Sequence, residues 1–134
     1  MADRTIAISA GRVSADAVLN DSSTATAIWN ALPIEAPAQT WGDEIYFGIG
    51  VKAKEDSARE VVELGDLAYW PPGRAFCIFF GPTPASRGRE CRAASPVNVV
   101  GKLEGDPSVF KTVHSGTRVT IERRADHRST GGTR

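Results

Sequence analysis

The chain is short of the residues that most often carry chemistry. Its 134 residues include two cysteines, two histidines and one methionine. Cys77 lies in an apolar run and Cys91 in a polar one, with no C-x-x-C pair, so free thiols are expected. His114 and His127 belong to no Cys/His/Asp cluster with ligand spacing, so no metal is expected, and no other cofactor is signalled. A G-x-S-x-G nucleophile motif is absent. Excess charge of one sign is missing too. With 16 basic and 16 acidic residues the net charge is zero, and no global field favours nucleic acid as a partner. No apolar run approaches the ~18 residues that a membrane span needs. The opening MADRTIAISA has one arginine and no apolar core of the kind a secretion signal requires, so cytoplasmic residence is the expectation.

What is present reads as many short strands. Arg4 to Ser9 alternates, Ala10-Gly11 turns, and Arg12 to Leu19 resumes with Val13, Ala15 and Ala17 on one face. Asp21, Ser22 or Ser23 can cap a helix over roughly 22–32, with Ala25, Ile28, Trp29 and Leu32 on its buried side and Pro33 as its stop. A loop with Pro33 and Pro37 follows. Glu44 to Val51 reads as a strand with Ile45, Phe47, Ile49 and Val51 on one face and Glu44, Tyr46, Gly48 and Gly50 on the other. Those glycines imply a bend or a close backbone approach. KAKEDSAREVVELGD reads as a solvated, charged hairpin tip. Val97 to Leu103 and Thr117 to Glu122 read as strands, and Asp106-Pro107 as the start of a short helix over roughly 106–113. The expected organisation is one domain over 1–124 and a disordered tail over 125–134, which has one alanine and ends near Gly-Gly. The pattern predicts a mostly β fold, a closed or nearly closed barrel flanked or plugged by its helices.

The stretch GDLAYWPPGRAFCIFFGPTP mixes two signals. AFCIFF is apolar throughout, as a strand buried on both faces would be. The turn YWPPGR before it carries Tyr69, Trp70 and Arg74, and it is the best candidate for the rim of a site.

Four blocks together resemble the cyclophilin-like family, in particular small prokaryotic proteins related to cyclophilins. They are GRVSADAVLNDSSTATAIWNAL, WGDEIYFGI, GDLAYWPPGRAFCIFFGPTP and VNVVGKLEGDPSVF, and they span roughly Ile6 to Glu122. The resemblance implies a closed β-barrel that binds a proline-containing peptide in a groove on its outer face. Cyclophilins isomerise X-Pro amides with an arginine donor, helped by a glutamine, a histidine and a tryptophan. Those residues do not carry over. Phe47-Gly48-Ile49 stands where the arginine follows a Phe-His pair. Ala75, before Phe76 and Cys77, stands near the glutamine position, and Ser95-Pro96-Val97-Asn98 where the histidine would be. Phe76 alone keeps its type, and a core phenylalanine explains it equally well.

The candidate ligand-binding residues are Glu44, Tyr46, Tyr69, Trp70, Arg74 and Phe76, with Arg74 as the candidate catalytic donor. Each has a plainer reading: Arg74 paired with Asp43 or Glu44 on the surface, Trp70 packed in the core, Glu44 paired with an arginine. Two functions stand open. One is a barrel that binds a proline-containing peptide or a small molecule with weak or no isomerase activity. The other is an active prolyl isomerase rebuilt around Arg74.

Overall fold

A computed structural model describes residues 4–124; the expected tail over 125–134 lies outside the described residues. Ten strands form most of the chain: β1 (Arg4–Ala10), β2 (Val13–Leu19), β3 (Ile34–Pro37), β4 (Gln39–Thr40), β5 (Glu44–Gly48), β6 (Arg59–Val62), β7 (Asp66–Trp70), β8 (Ala75–Phe79), β9 (Cys91–Leu103) and β10 (Arg118–Arg123). The helix α1 (Ser23–Ala31) begins where the Ser22 hydroxyl accepts from the Ala25 amide, as the capping residues predict. The second expected helix is a 3-10 helix, Pro107–Thr112, capped by Asp106. A second 3-10 turn, Pro71–Gly73, links β7 to β8.

The strands follow one path, β3-β10-β1-β2-β9-β7-β8-β5-β4, with β6 added to β9. Hydrogen bonds do not close this 10-stranded sheet, so the closed barrel expected from the sequence is not what the ladders form. Its two edge strands, β3 and β4, are nevertheless separated by a single residue, Ala38. The Ala38 amide donates to Thr117 O at 2.7 Å, and its carbonyl accepts from the Gly116 amide at 2.8 Å. The turn between β3 and β4 is therefore anchored to the segment that enters β10.

Strand periodicity divides the core in two. One face of the sheet buries Ile45, Phe47, Leu67, Tyr69, Phe76 and Ile78 in a large cluster with Ile28 of α1 and Phe110 of the 3-10 helix. The other face buries Ala68, Cys77 and Phe79 in a smaller cluster with Val62, Cys91, Ala93 and Val97. This is why AFCIFF is apolar throughout: all five residues of β8 are buried, on alternating sides.

Several elements depart from the expected ones. The Pro33–Pro37 loop contains β3 and continues into β4. Strand β5 stops at Gly48, before Val51, because Gly50 turns the backbone at φ +74°. The charged tip contains β6, three of whose four residues are exposed, so its composition reads as loop. Asp66–Trp70 is the strand β7 rather than the flank of a turn. Strand β9 starts at Cys91, six residues before the expected Val97, and this buries both cysteines as free thiols.

Candidate functional site

The long strand β9 serves three partners. Its second half pairs with β2 and β7 in the main sheet, and its first half pairs with β6 over the sheet's outer face. Within the pairing with β6 the register jumps. Val61 pairs with Arg92, so an unbroken antiparallel ladder would pair Arg59 with Ala94, yet Arg59 pairs with Val97. The excess residues bulge around Pro96, which has no amide hydrogen for a ladder. The bulge carries Ala93, Ala94 and Ser95 across from β5 and the end of β7.

A cavity of about 230 Å³ opens there, lined by Trp41, Glu44, Tyr46, Trp70, Ala93, Ala94 and Val97. Trp41 sits between β4 and β5, where its amide donates to Glu44 O at 2.9 Å. Glu44 and Tyr46 point to the same side of β5. Trp70 is fixed twice. Its indole N–H donates to Ser95 Oγ at 2.7 Å, and its ring lies so close to Gly73 that a Cβ there would meet Cε3 and Cζ3 at 2.7 Å. The walls are aromatic and aliphatic, with one carboxyl among them.

That carboxyl is unusual. Glu44 is 5% exposed, and it forms no ion pair with any described residue. Burial pushes its pKa up to about 7, offset a little by a hydrogen bond from the Cys77 thiol. Cys77 itself is held well above the ordinary thiol range, by burial first and by Glu44 second, so it stays protonated and inert as a nucleophile. Near neutrality Glu44 can therefore act as either acid or base, or as a buried negative charge that seeks a partner.

The structure brings together three of the six candidate residues: Glu44, Tyr46 and Trp70. Tyr69 and Phe76 face the opposite way. Tyr69 is fully buried, donating to Val51 O at 2.5 Å and accepting from the Ala53 amide at 3.2 Å. Phe76 stacks on Phe47 with ring centroids 5.6 Å apart. Arg74 is exposed after the 3-10 turn, in the left-handed region at φ 47°, and does not line the cavity. Nor does it pair with Asp43, whose carboxylate binds Lys111 at 2.8 Å, or with Glu44. Sequence reading missed Ala93, Ala94 and Val97, because nothing in a run of small residues announces a bulge. Trp41 had a signal, since it heads the same WGDEIYF block as Glu44 and Tyr46.

Among the described residues no three His, Cys, Asp or Glu side chains come together in a group able to hold a metal ion. No described helix is long and apolar enough to cross a membrane.

The comparisons with known proteins agree with this architecture. The model of the cyclophilin-like family matches residues 4–122. The solution structure of a hypothetical protein from Archaeoglobus fulgidus is 41% identical, with a TM-score of 0.79 over 91% of this chain and 95% of that one. Among curated proteins none matches the chain. A family match over nearly all the described residues, on a sheet with the expected order of elements, establishes that the chain belongs to the cyclophilin-like family.

Proposed function

We propose that this protein is a ligand-binding member of its family, taking a small molecule or a proline-containing peptide in the cavity of the outer face, with weak or no prolyl isomerase activity. One observation carries the reading: an aromatic cavity whose lining includes a carboxyl and no guanidinium. Rotation about an X-Pro bond faces a barrier of about 18–20 kcal/mol, which a donor to the prolyl nitrogen lowers by drawing its lone pair out of resonance. Arg74, exposed on its turn and outside the lining, is poorly placed for that role. Losing one preorganised donor typically costs about 10²–10³ in rate.

A protease-coupled or NMR exchange assay on an Ala-Pro peptide tests the proposal. The expected rate is near background. Robust turnover that disappears in Arg74→Ala, with circular dichroism unchanged, would refute it in favour of an isomerase built around Arg74. Robust turnover that survives Arg74→Ala would also refute it, and would direct attention to Tyr46 and Trp41.

A further inference from the structure

We propose that the cavity receives a small organic cation, an alkylated ammonium group, held among the rings of Trp41, Tyr46 and Trp70 with the Glu44 carboxylate as its counter-charge. The inference rests on the reading of this cavity as a ligand site. Three aromatic side chains and one carboxyl line it, and no lysine, arginine or histidine does. Ring faces attract cations, most strongly where water is excluded. A buried carboxylate without a partner is costly, and a bound cation supplies the partner that no described residue provides. An anion meets the opposite balance, and a neutral ligand gains only burial. Alkylation matters because it spreads the charge over an apolar surface that suits the aliphatic wall of Ala93, Ala94 and Val97.

The surroundings leave Glu44 as the group that responds to such a ligand. Facing it is the Cys77 thiol on β8, and Tyr46 lies on the same side of its own strand. On β4, Gln39 pairs with Tyr46 on that side, whereas Thr40 pairs with Ile45 on the other and lies 3.0 Å from Ser115 Oγ. The neighbouring Asp43 is held by Lys111 at 2.8 Å. On β9, Arg92 is taken by Glu90 at 3.0 Å and Glu60 at 3.3 Å. Asp66, on β7, lies against Lys102 at 3.4 Å. Without ligand, burial holds the Glu44 carboxyl half-protonated near neutrality. A cation a few ångströms away favours the charged form, so binding below neutrality expels a proton.

The test compares choline with its uncharged carbon isostere, 3,3-dimethylbutan-1-ol, followed by NMR shift titration and by the fluorescence of the tryptophans. At about pH 8 choline should bind roughly tenfold or more tightly than the isostere. Its affinity should fall about tenfold on going to about pH 6, while that of the isostere does not fall. Calorimetry in two buffers of different ionisation heat should show close to one proton released per choline at about pH 6 and almost none at about pH 8.5. Glu44→Gln should abolish the pH dependence and cut the preference to what the rings alone supply, while still binding the isostere. If that variant fails to fold, the wild-type pH contrast decides. Equal binding of the two compounds, or choline affinity that falls as pH rises, overturns the inference and leaves the ligand-site reading standing. So does binding of an Ala-Pro peptide alone. If none of the three binds, both are overturned.

Discussion

Glu44 owes its properties to a face of β5 that the sequence presents as half-exposed and the fold covers. The ordinary carboxyl titrates near 4.5, and burial raises this one to about 7. Below the lower value the group is protonated in both folded and unfolded chains, and its environment costs nothing extra. Between the two values the folded protein retains a proton that the unfolded chain has lost, so stability falls as pH rises through this window. Above about 7 the loss is complete, on the order of 3 kcal/mol. Glu44→Gln removes the titration. Urea unfolding should therefore find the variant more stable than the parent at pH 8 by up to about that amount, and no more stable at pH 5. A variant less stable at pH 8 would show that the charged carboxylate has a partner within the protein. The sequence marked Glu44 as an odd residue on a strand face, but not its isolation. Arg74 is adjacent to the site in sequence, yet it ends a turn that carries its side chain into solvent.

The wall that isolates Glu44 comes from the first half of β9, which pairs with β6, and alternation revealed neither element. Strand β6 is a single buried valine, Val62, behind three exposed residues. The start of β9 is small and polar, CRAASP, and its burial comes from lying over Ala68, Cys77 and Phe79 rather than from its own hydrophobicity. Glu90 secures the turn before it. Its carboxylate accepts from the Arg87 amide at 2.8 Å, the Gly88 amide at 2.9 Å and the Arg92 guanidinium at 3.0 Å, which hold its pKa down to about 2. By contrast AFCIFF and the β1–β2 hairpin declared themselves, because each buries a regular set of side chains. The opposite wall depends on Trp70, wedged between Ser95 and Gly73. Gly73→Ala places a methyl 2.7 Å from ring carbons whose far edge is tied to Ser95. The ring must move. We expect a stability loss of about 1–3 kcal/mol, a shifted tryptophan emission, and ligand affinity reduced several-fold. Unchanged emission and affinity would show that Trp70 is not fixed by this contact.

The sheet as a whole consists of two groups of strands, β3-β10-β1-β2 and β9-β7-β8-β5-β4, that meet along one seam between β2 and β9. Only three residue pairs make that ladder: Ala17 with Leu103, Val18 with Lys102, and Leu19 with Gly101. Just beyond it the Asn20 amide donates to Val100 O at 2.8 Å, and the Asn20 side chain donates to Val99 O at 2.9 Å. Such a short seam must be tight, and Gly101 is where it is tightest. A Cβ at that position would lie 2.5 Å from Val18 O and 3.1 Å from Leu19 Cα, both backbone atoms that no rotamer change can move aside. Of the two glycines that the sequence marked for a bend or a close approach, Gly50 makes the bend at φ +74°, whereas a Cβ on Gly48 would meet only Gly73 O, at 4.0 Å. A strand glycine announces that something is near without saying which strand. Gly101→Ala is therefore expected to part β2 from β9 and to cost about 3 kcal/mol, the upper end of the usual penalty for overpacking, whereas Gly48→Ala should cost less than about 1 kcal/mol. Urea unfolding of the two variants checks the contrast. Hydrogen exchange adds a spatial test: in Gly101→Ala, protection should fall first at the amides of residues 17–20 and 101–103. A Gly101→Ala protein as stable as the parent would mean that the two halves are held by the shared core rather than by the seam.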